Sequence, residues 1–405
     1  MSESSLEGGM VLRRPLLSEI DQVCELLAAR GDPEDADDLR LVIQHRDEGL
    51  DSCRVVVSPD GYVVSTATLL KERVRVGSVV LPAGQVELVA TDPGFERRGL
   101  VRALMDDAHR RSAERGDAFQ VMIGIPYFYR RFGYEYAMPI PRLRNVETAI
   151  GSRETHTVRE AIESDLPTLA ALNDTTQSAA SVAMNHSDAC WSWMVNRETS
   201  SVWVSESDGE IAASARAVVS SDGVIVAEIA GSDHGVESLF AHAQSVSAGP
   251  VQAVERPNST VAGTVERGVE PAEGPDGQQE WYYARVGDLA GMLLVLSPEL
   301  QRRWSEAGRT DTAEVLISLW GSHVTFEIGP AGVASMRTGG PEQAPISKGG
   351  SGIEPDAVPA LFLGPGGALG IENDRPDCYL GTQREVLEIL FPPQSADLMT
   401  FYLPV

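Results

Sequence analysis

The sequence has few cysteines, few lysines, no long apolar run and an excess of negative charge. Its four cysteines are far apart along 405 residues and form no Cys-x-x-Cys pair, which argues against a disulfide framework and a structural zinc site. No stretch approaches the roughly 18 apolar residues of a membrane-spanning helix. The first ten residues lack the apolar segment of a signal peptide. We therefore expect a soluble, cytoplasmic protein with reduced thiols, no metal ion and no membrane contact.

The charge balance excludes one large class of partners. The chain has 59 acidic and 33 basic residues, a net charge of −26, and only Lys71 and Lys348 among its basic residues are lysines. Nucleic acid is a poor partner for such a chain, because phosphate binding needs a basic face. An acidic surface suits a cationic small molecule, or it simply keeps the protein in solution. Both interpretations stay open here.

Length and pattern predict three domains in which helices and strands alternate. A length of 405 residues suggests two to four domains at roughly 100–200 residues each. Helix-like and strand-like segments alternate over the first 140 residues or so, and a polar stretch, "RNVETAIGSRETHT", follows. The next segment, "VREAIESDLPTLAALNDT", repeats the pattern of "VLRRPLLSEIDQVCELLAA" near the N-terminus. We predict domains at residues 1–150, 151–285 and 286–405.

The segment "ERRGLVRALM" is the clearest candidate for a binding site. It places Arg97, Arg98 and Gly99 after a strand and an Asp-Pro turn, directly before a predicted helix. The free N–H groups at a helix N-terminus bind anions, a glycine lets the backbone approach closely, and arginines add charge-assisted hydrogen bonds. The pattern indicates a pyrophosphate site. The alternative is a solvated helix start whose arginines pair with nearby carboxylates.

In its context this segment resembles motif A of the GNAT N-acetyltransferases, R/Q-x-x-G-x-G/A, which cradles the pyrophosphate of acetyl-CoA. Glu96 and Val101 stand where the family usually has Arg or Gln and Gly or Ala. The resemblance implies that one strand end pairs with the pantetheine arm, that the next loop wraps the pyrophosphate, and that the following strand splays to admit the thioester. For the pantetheine arm it implies Val89, Ala90 and Thr91, and for the thioester Gly124 and Ile125. For the pyrophosphate it implies Arg97, Arg98, Gly99, Leu100, Val101 and Arg102.

A second segment, "FYRRFGYEY", resembles the GNAT signature of a tyrosine followed after three residues by glycine and an aromatic residue. Tyr129 occupies the tyrosine position, with Gly133 and Tyr134 after it. The resemblance implies that Tyr129 protonates the thiolate of coenzyme A as it leaves. A phenol with a pKa near 10 is a reasonable donor for that proton. The alternative is a tyrosine that only packs among neighbouring aromatic side chains.

The whole chain is similar in plan to the enhanced intracellular survival (Eis) acetyltransferases. That resemblance implies a fold of α+β class, with mixed sheets flanked by helices in two tandem GNAT-like domains. The first of these would be catalytic and the second would lack the cofactor motif, and a C-terminal α/β domain like a sterol carrier protein would follow. The resemblance also implies a homohexamer, and a chain-terminal carboxylate, here that of Val405, as general base. The acidic loop "GDPEDADD", residues 31–38, would border the acceptor pocket and attract a cation, or it is only a solvated run of charges.

Together these features predict an acetyl-CoA-dependent N-acetyltransferase that acts on a primary amine of a cationic small molecule, such as an aminoglycoside or a polyamine, or on lysine. Backbone N–H groups near Thr91 would polarise the thioester carbonyl. One alternative is a degenerate GNAT scaffold that binds acyl-CoA or a regulatory ligand without turnover, which the departures at Glu96 and Val101 favour. Another is a lipid carrier led by the third domain, which has only analogy of fold behind it.

Overall fold

The computed structural model describes residues 3–146, 156–256 and 279–398 in full and the backbone of 269–271. The N-terminal part supplies eight strands and four helices to this described portion. The strands are β1 (Ser4–Ser5), β2 (Val11–Arg13), β3 (Cys53–Val57), β4 (Val63–Val76), β5 (Val79–Thr91), β6 (Phe119–Met122), β7 (Glu135–Pro139) and β8 (Leu143–Val146). The helices are α1 (Ile20–Arg30), α2 (Asp35–Gln44), α3 (Gly49–Ser52) and α4 (Leu100–Arg115).

The middle part repeats this pattern of strands and helices. Its strands are β9 (Thr157–Glu160), β10 (Val182–Asn185), β11 (Ser201–Ser207), β12 (Glu210–Ser220), β13 (Gly223–Gly231), β14 (Val251–Val254), β15 (Val269–Pro271) and β16 (Trp281–Arg285). Its helices are α5 (Leu166–Gln177), α6 (Asp188–Asn196) and α7 (Asp233–Val246).

The C-terminal part has more helices around a smaller sheet. Its helices are α8 (Leu289–Val295), α9 (Ser297–Glu306), α10 (Val358–Leu363), α11 (Gly367–Asp374) and α12 (Arg384–Leu390). Its strands are β17 (Ala313–Ser318), β18 (His323–Gly329), β19 (Gly332–Gly339), β20 (Ser351–Gly352) and β21 (Ala396–Asp397).

The described strands form three sheets. The first has the order β1-β2-β3-β4-β5-β6-β16-β7, with β10 beside β4 and β21 beside β10. The second has the order β15-β8-β14-β13-β12-β11-β9, and the third the order β19-β18-β17-β20. Most neighbours in the described sheets are antiparallel, but four pairs run parallel, namely β5 with β6, β13 with β14, β10 with β21 and β17 with β20. The predicted α+β class with mixed sheets flanked by helices is confirmed.

The centre of the first sheet is covered by helices on both faces. Val55 packs with α1 on one side, whereas its neighbour Val56 packs with Leu100 and Leu104 of α4 on the other. Alternate residues of a strand point to opposite faces, so these strands are apolar almost throughout. The first eight residues of β4 are all buried. The face near β16 and β10 continues into the C-terminal part, whose Trp304 and Phe326 belong to the same core.

Four strands pair across the predicted domain boundaries, and of these β10 pairs with β4 and β21 pairs with β10. Strand β16, at the end of the predicted second domain, lies in the first sheet between β6 and β7. Strand β8, near the end of the predicted first domain, lies in the second sheet between β14 and β15. Each of the two sheets is therefore completed by a strand from the far side of the boundary. The division at residues 150 and 285 stays a prediction, and sheet membership does not follow it.

Candidate active site

A cleft opens in the first sheet where two parallel strands part. Strands β5 and β6 pair at only three positions, the last being Gln85 opposite Val121. Beyond that position the strands separate, and a cavity of about 600 Å³ lies between the end of β5, the start of α4 and the segment after β6. Its lining residues are Arg30, Val89, Ala90, Thr91, Phe95, Glu96, Arg97, Gly99, Leu100, Val101, Arg102, Ile125, Phe128, Tyr129, Arg131 and Phe132.

A β-bulge shapes the β5 side of this cleft. Thr66 of β4 pairs with Ala90, but Thr68 pairs with Glu87, so two residues of β5 face one residue of β4. Leu88 in the bulge has a positive φ of 53°. A bulge bends the strand and breaks the ladder of hydrogen bonds. This bulge lies directly before the predicted position near Thr91, where backbone N–H groups would polarise a carbonyl, and that role stays a prediction.

The loop between β5 and α4 presents free backbone N–H groups to the cleft. Asp92 accepts a hydrogen bond from Gly94 N at 2.7 Å and so fixes the turn after the strand. Arg97 and Gly99 both have positive φ, 61° and 78°. No side chain caps α4, and the first intrahelical bond runs from Ala103 to Gly99. The N–H groups of the first turn thus have no intrahelical acceptor and can bind an anion.

Arginines without a carboxylate partner surround this helix start. Within the described ranges, no ion pair involves Arg97, Arg98, Arg102 or Arg131. Arg102 lies over the Phe132 ring and Arg131 over the Phe128 ring. Because the chain is so acidic, unpaired arginines at a single cleft indicate a site for an anionic ligand. Of these residues, Arg131 is one that the sequence analysis did not identify.

One predicted arginine is turned away from the cleft. Arg98 donates a hydrogen bond to the Gly94 carbonyl at 3.0 Å and lies over the Phe95 ring, and it is not among the lining residues. Its guanidinium therefore holds the turn before α4. The predicted role of Arg98 as a direct pyrophosphate ligand remains a prediction.

Glu96, the departure from the family motif, has a partner in the same cleft. Its Oε1 accepts a hydrogen bond from the Arg30 guanidinium at 2.7 Å, and both side chains are partly exposed. Arg30 is the last residue of α1, 66 positions before Glu96. The sequence analysis missed Arg30, because nothing local in the sequence connects the end of α1 with the segment before α4.

Tyr129 lies at the inner end of the cleft in a short 3-10 helix, Tyr129–Phe132. Its ring packs against Phe128, Phe132, Tyr134 and Tyr283. Burial raises the pKa of the phenol above its ordinary value, and the nearby Glu87 carboxylate raises it further. The phenol therefore keeps its proton at neutral pH and can donate it.

Gly124 supports Tyr129 and does not itself line the cleft. A Cβ atom at Gly124 would overlap the Tyr129 ring. The next residue, Ile125, lines the cleft with an exposed side chain. Gly124 thus lets the Tyr129 ring approach the backbone closely, and its predicted contact with the cofactor stays a prediction.

A buried carboxyl group stands close to Tyr129. Glu87 lies on β5 directly before the bulge, is 7% exposed and accepts a hydrogen bond from Gln85 Nε2 at 2.7 Å. Burial raises the pKa of Glu87 to about 8. A carboxyl group with such a pKa can take up a proton near neutral pH. The sequence signal was one acidic residue in the apolar strand "GQVELVAT", and its burial could not be inferred from the strand alone.

The acidic loop predicted to attract a cation makes contacts with the middle part of the chain. Asp38 accepts hydrogen bonds from the Trp193 indole and the Arg197 guanidinium, each at 3.0 Å. Glu34 also lies 3.5 Å from Arg197. Two of the five carboxylates in residues 31–38 therefore join α2 to the region of α6. Attraction of an acceptor amine by this loop stays a prediction.

The second sheet opens at the corresponding place, but that opening is filled. Strands β13 and β14 are parallel and pair last at Val226 and Ala253. Beyond them the buried Arg256 donates to the Ile229 carbonyl at 2.9 Å and to Asp397 at 2.8 Å. The helix that follows, α7, is capped by the side chain of Ser232. The start of α7 is thus capped by a side chain, whereas the start of α4 is not.

The structure brings most of the predicted site residues into one cleft. Val405, the predicted base, lies outside the described residues, Arg98 points elsewhere and Gly124 lies behind Tyr129. The predicted residues that line the cleft are Val89, Ala90, Thr91, Arg97, Gly99, Leu100, Val101, Arg102, Ile125 and Tyr129. Their roles in binding and catalysis remain predictions that follow from this position.

Comparison with known proteins identifies the class of the N-terminal part. Residues 12–137 match the family model described as "Acetyltransferase (GNAT) domain". No curated protein sequence gives a significant match to the chain. The chain therefore contains a GNAT acetyltransferase domain, and the predicted resemblance to the GNAT family is confirmed.

Solved structures share the fold over nearly the whole chain. A GCN5-related N-acetyltransferase from Anabaena variabilis has a TM-score of 0.70 at 13% identity, and one from Kribbella flavida has 0.69 at 18%. Eis1 from Mycobacterium abscessus has 0.63 at 15%. Each comparison covers 97% of this chain and 100% of the other. At such low identity the likeness establishes the fold, including its resemblance to an Eis structure.

Across the described ranges, no helix is both long enough and apolar enough to span a membrane. The same ranges contain no group of three or more histidine, cysteine, aspartate or glutamate side chains that could hold a metal ion.

Proposed function

We propose that this protein is an acetyl-CoA-dependent N-acetyltransferase that acts on a primary amine of a cationic small molecule. The observation that carries the proposal is the cleft between β5 and β6. It joins an uncapped helix start, arginines without carboxylate partners and a buried tyrosine. The helix start suits the negative charge of a pyrophosphate, and the arginines add cations to it. The tyrosine would donate a proton to the leaving thiolate.

The cofactor would lie along the open edge of β5. The pyrophosphate would meet the first turn of α4, and Arg97 and Arg102 would add charge-assisted hydrogen bonds. The pantetheine arm would follow Val89, Ala90 and Thr91, and the thioester would reach the inner end of the cleft beside Tyr129. Acetyl-CoA is here a co-substrate that the lining residues fit in charge and shape.

The reaction would proceed by direct attack of the amine nitrogen on the thioester carbonyl carbon. Backbone N–H groups at the β5 bulge would stabilise the oxyanion. As the carbon–sulfur bond breaks, the Tyr129 hydroxyl would donate its proton to the sulfur of coenzyme A. A base would remove the proton from the nitrogen, which leaves a neutral acetamide.

Two groups are candidates for that base. The resemblance to the Eis family implies the Val405 carboxylate, which lies outside the described residues. Among the described residues, Glu87 is the candidate, because it is buried beside Tyr129 and its pKa is raised to about 8. A carboxylate with that pKa is a stronger base than an ordinary one, and the fraction that is free to accept a proton grows as the pH rises toward 8.

Three further features are proposed on the resemblance to the Eis family alone. They are the domain division at residues 150 and 285, the likeness of residues 286–405 to a sterol carrier protein, and a hexameric assembly. Sedimentation equilibrium tests the assembly, and a particle mass other than six chains would contradict it.

The activity is tested by incubating the purified protein with acetyl-CoA and a panel of acceptors, and measuring thiol release. The panel contains a linear triamine, an aminoglycoside, free lysine and a neutral diol of similar length. We expect release of free thiol only with the amines, accompanied by a mass increase of one acetyl group on the acceptor. Calorimetric binding of acetyl-CoA without release for any amine would instead support the degenerate scaffold.

A further inference from the structure

The mouth of the cleft contains an ion pair that the family motif does not predict. The Arg30 guanidinium holds Glu96 at 2.7 Å, and their side chains are 39% and 46% exposed. Both residues line the same cavity as the free N–H groups of α4. An ion pair this exposed contributes little to stability, so a stronger anion in the cleft can displace the carboxylate at small cost.

The charges around the cleft favour such an exchange. The lining residues include Arg30, Arg97, Arg102 and Arg131 as cations and Glu96 as the one acidic residue. These five side chains carry a net charge of +3 in a chain of net charge −26. A pyrophosphate at the start of α4 would lie directly beside Arg97 to Gly99, and hence beside the segment that holds Arg30.

We propose that Arg30 is a direct ligand of the cofactor's pyrophosphate and that Glu96 holds it in the cleft until the cofactor binds. This inference rests on the proposed function. Arg30, at the end of α1, would supply a positive charge that this chain lacks at position 96, where the family motif usually has Arg or Gln and this chain has Glu96. Glu96 competes with the phosphate oxygens for the same guanidinium, so it lowers affinity while it keeps Arg30 in place.

The alternative is that Arg30 only neutralises Glu96 and never contacts the cofactor. A double-mutant cycle separates the two, with the dissociation constant of acetyl-CoA measured by calorimetry for the full-length protein. If Arg30 binds the pyrophosphate, Arg30→Gln should weaken binding roughly tenfold. Glu96→Gln should tighten binding about threefold or more at low salt, because it frees Arg30. The double variant should regain part of the affinity, because the Glu96 charge is gone, but it should still bind more weakly than the unmodified protein.

A matched control is Arg40→Gln. Arg40 forms a 2.8 Å pair with Asp21 and is 43% exposed, close to the exposure of Arg30, but it lies outside the cleft. This variant should bind acetyl-CoA as the unmodified protein does. Acetyl-CoA lacking the 3′-phosphate should show the same loss on Arg30→Gln, since it retains the pyrophosphate.

Three outcomes would overturn the inference. A double variant with unmodified affinity would mean that Arg30 only screens Glu96. An unchanged dissociation constant for Arg30→Gln would mean that it has no role. If Arg30→Gln weakens binding of acetyl-CoA but not of the ligand lacking the 3′-phosphate, Arg30 contacts the 3′-phosphate and not the pyrophosphate. Failure of the unmodified protein to bind acetyl-CoA would overturn the proposed function itself. In the three outcomes above the unmodified protein still binds acetyl-CoA, so a failure of the inference is distinguishable from a failure of the proposed function.

Discussion

Tyr129 has two properties that favour different roles, one structural and one catalytic. It is packed among four aromatic rings, as a structural tyrosine would be, yet it lines the cleft at the point where β5 and β6 have parted. The overlap that a Cβ at Gly124 would cause shows that the ring position is closely defined. A proton donor needs that fixed position and a pKa that keeps the proton in place until the thiolate forms.

Replacing Tyr129 by phenylalanine separates packing from proton donation. The variant removes one oxygen and leaves the ring, so the affinity for acetyl-CoA should change little. Thiol release should fall roughly 10²–10⁴-fold, the usual contribution of a general acid. Turnover is measured at saturating acceptor, and cofactor binding by calorimetry. Unchanged turnover would make Tyr129 a packing residue only.

Glu87 gives a prediction about pH. Since its pKa is raised to about 8, a base at this position is mostly protonated at pH 7 and becomes active as the pH rises. Turnover at saturating amine should therefore increase up to about pH 8 and then level off. Glu87→Gln should lower turnover roughly 10²-fold or more and abolish this rise.

The control for Glu87 is another buried carboxyl on the same strand pair. Burial also raises the pKa of Glu72 to about 8, but Glu72 lies on β4 away from the cleft. Glu72→Gln should keep the rise with pH. A C-terminal extension of the chain tests the other candidate base, and loss of turnover in the extended protein with an unchanged Glu87→Gln profile would favour Val405.

At the scale of elements, the local parts of the site could be predicted and the long-range parts could not. The strand, turn and helix around "ERRGL" follow from an Asp-Pro turn, a glycine with positive φ and an amphipathic run, all within about 20 residues. The pairing of Arg30 with Glu96 and the insertion of β16 between β6 and β7 depend on contacts between distant segments. No pattern of residues in either segment identifies its partner.

The short strand β21 is a further long-range feature. It pairs with β10 in the first sheet, and its Asp397 is bonded to Arg256, which fills the opening of the second sheet. Both side chains are about 1–2% exposed. The end of the described chain is thus held by residues from both large sheets.

Breaking this buried pair should destabilise the fold. Asp397→Asn removes the carboxylate that pairs with the buried Arg256 guanidinium at 2.8 Å, and breaking a buried ion pair typically costs about 3–5 kcal/mol. The urea midpoint of unfolding should fall accordingly. The variant Glu314→Gln removes an exposed 3.4 Å pair with Arg337 and should change stability by less than about 0.5 kcal/mol. Equal midpoints for the two variants would show that the buried pair adds nothing.

At the scale of the whole molecule, one feature occurs twice, in different surroundings. The first and second sheets each contain a parallel pair of strands that part, followed by a helix. In the first sheet the helix start is an uncapped glycine with arginines around it. In the second it is capped by Ser232, carries Asp233 in its first turn, and faces an opening occupied by Arg256. An anion would meet an uncapped, positively charged helix start at α4. At α7 it would meet a helix start that is already capped and carries an acidic residue.

We therefore expect one molecule of acetyl-CoA per chain, bound in the first sheet. Calorimetric titration should give a stoichiometry near one. Arg97→Glu should abolish the binding heat, because it places a carboxylate among the N–H groups that would hold the pyrophosphate. Asp233→Asn, at the start of α7, is the matched change in the second sheet and should leave affinity and stoichiometry unchanged, since that helix start is already capped. Two bound molecules per chain, or binding that survives Arg97→Glu and weakens in Asp233→Asn, would place a cofactor site in the second sheet and contradict the assignment.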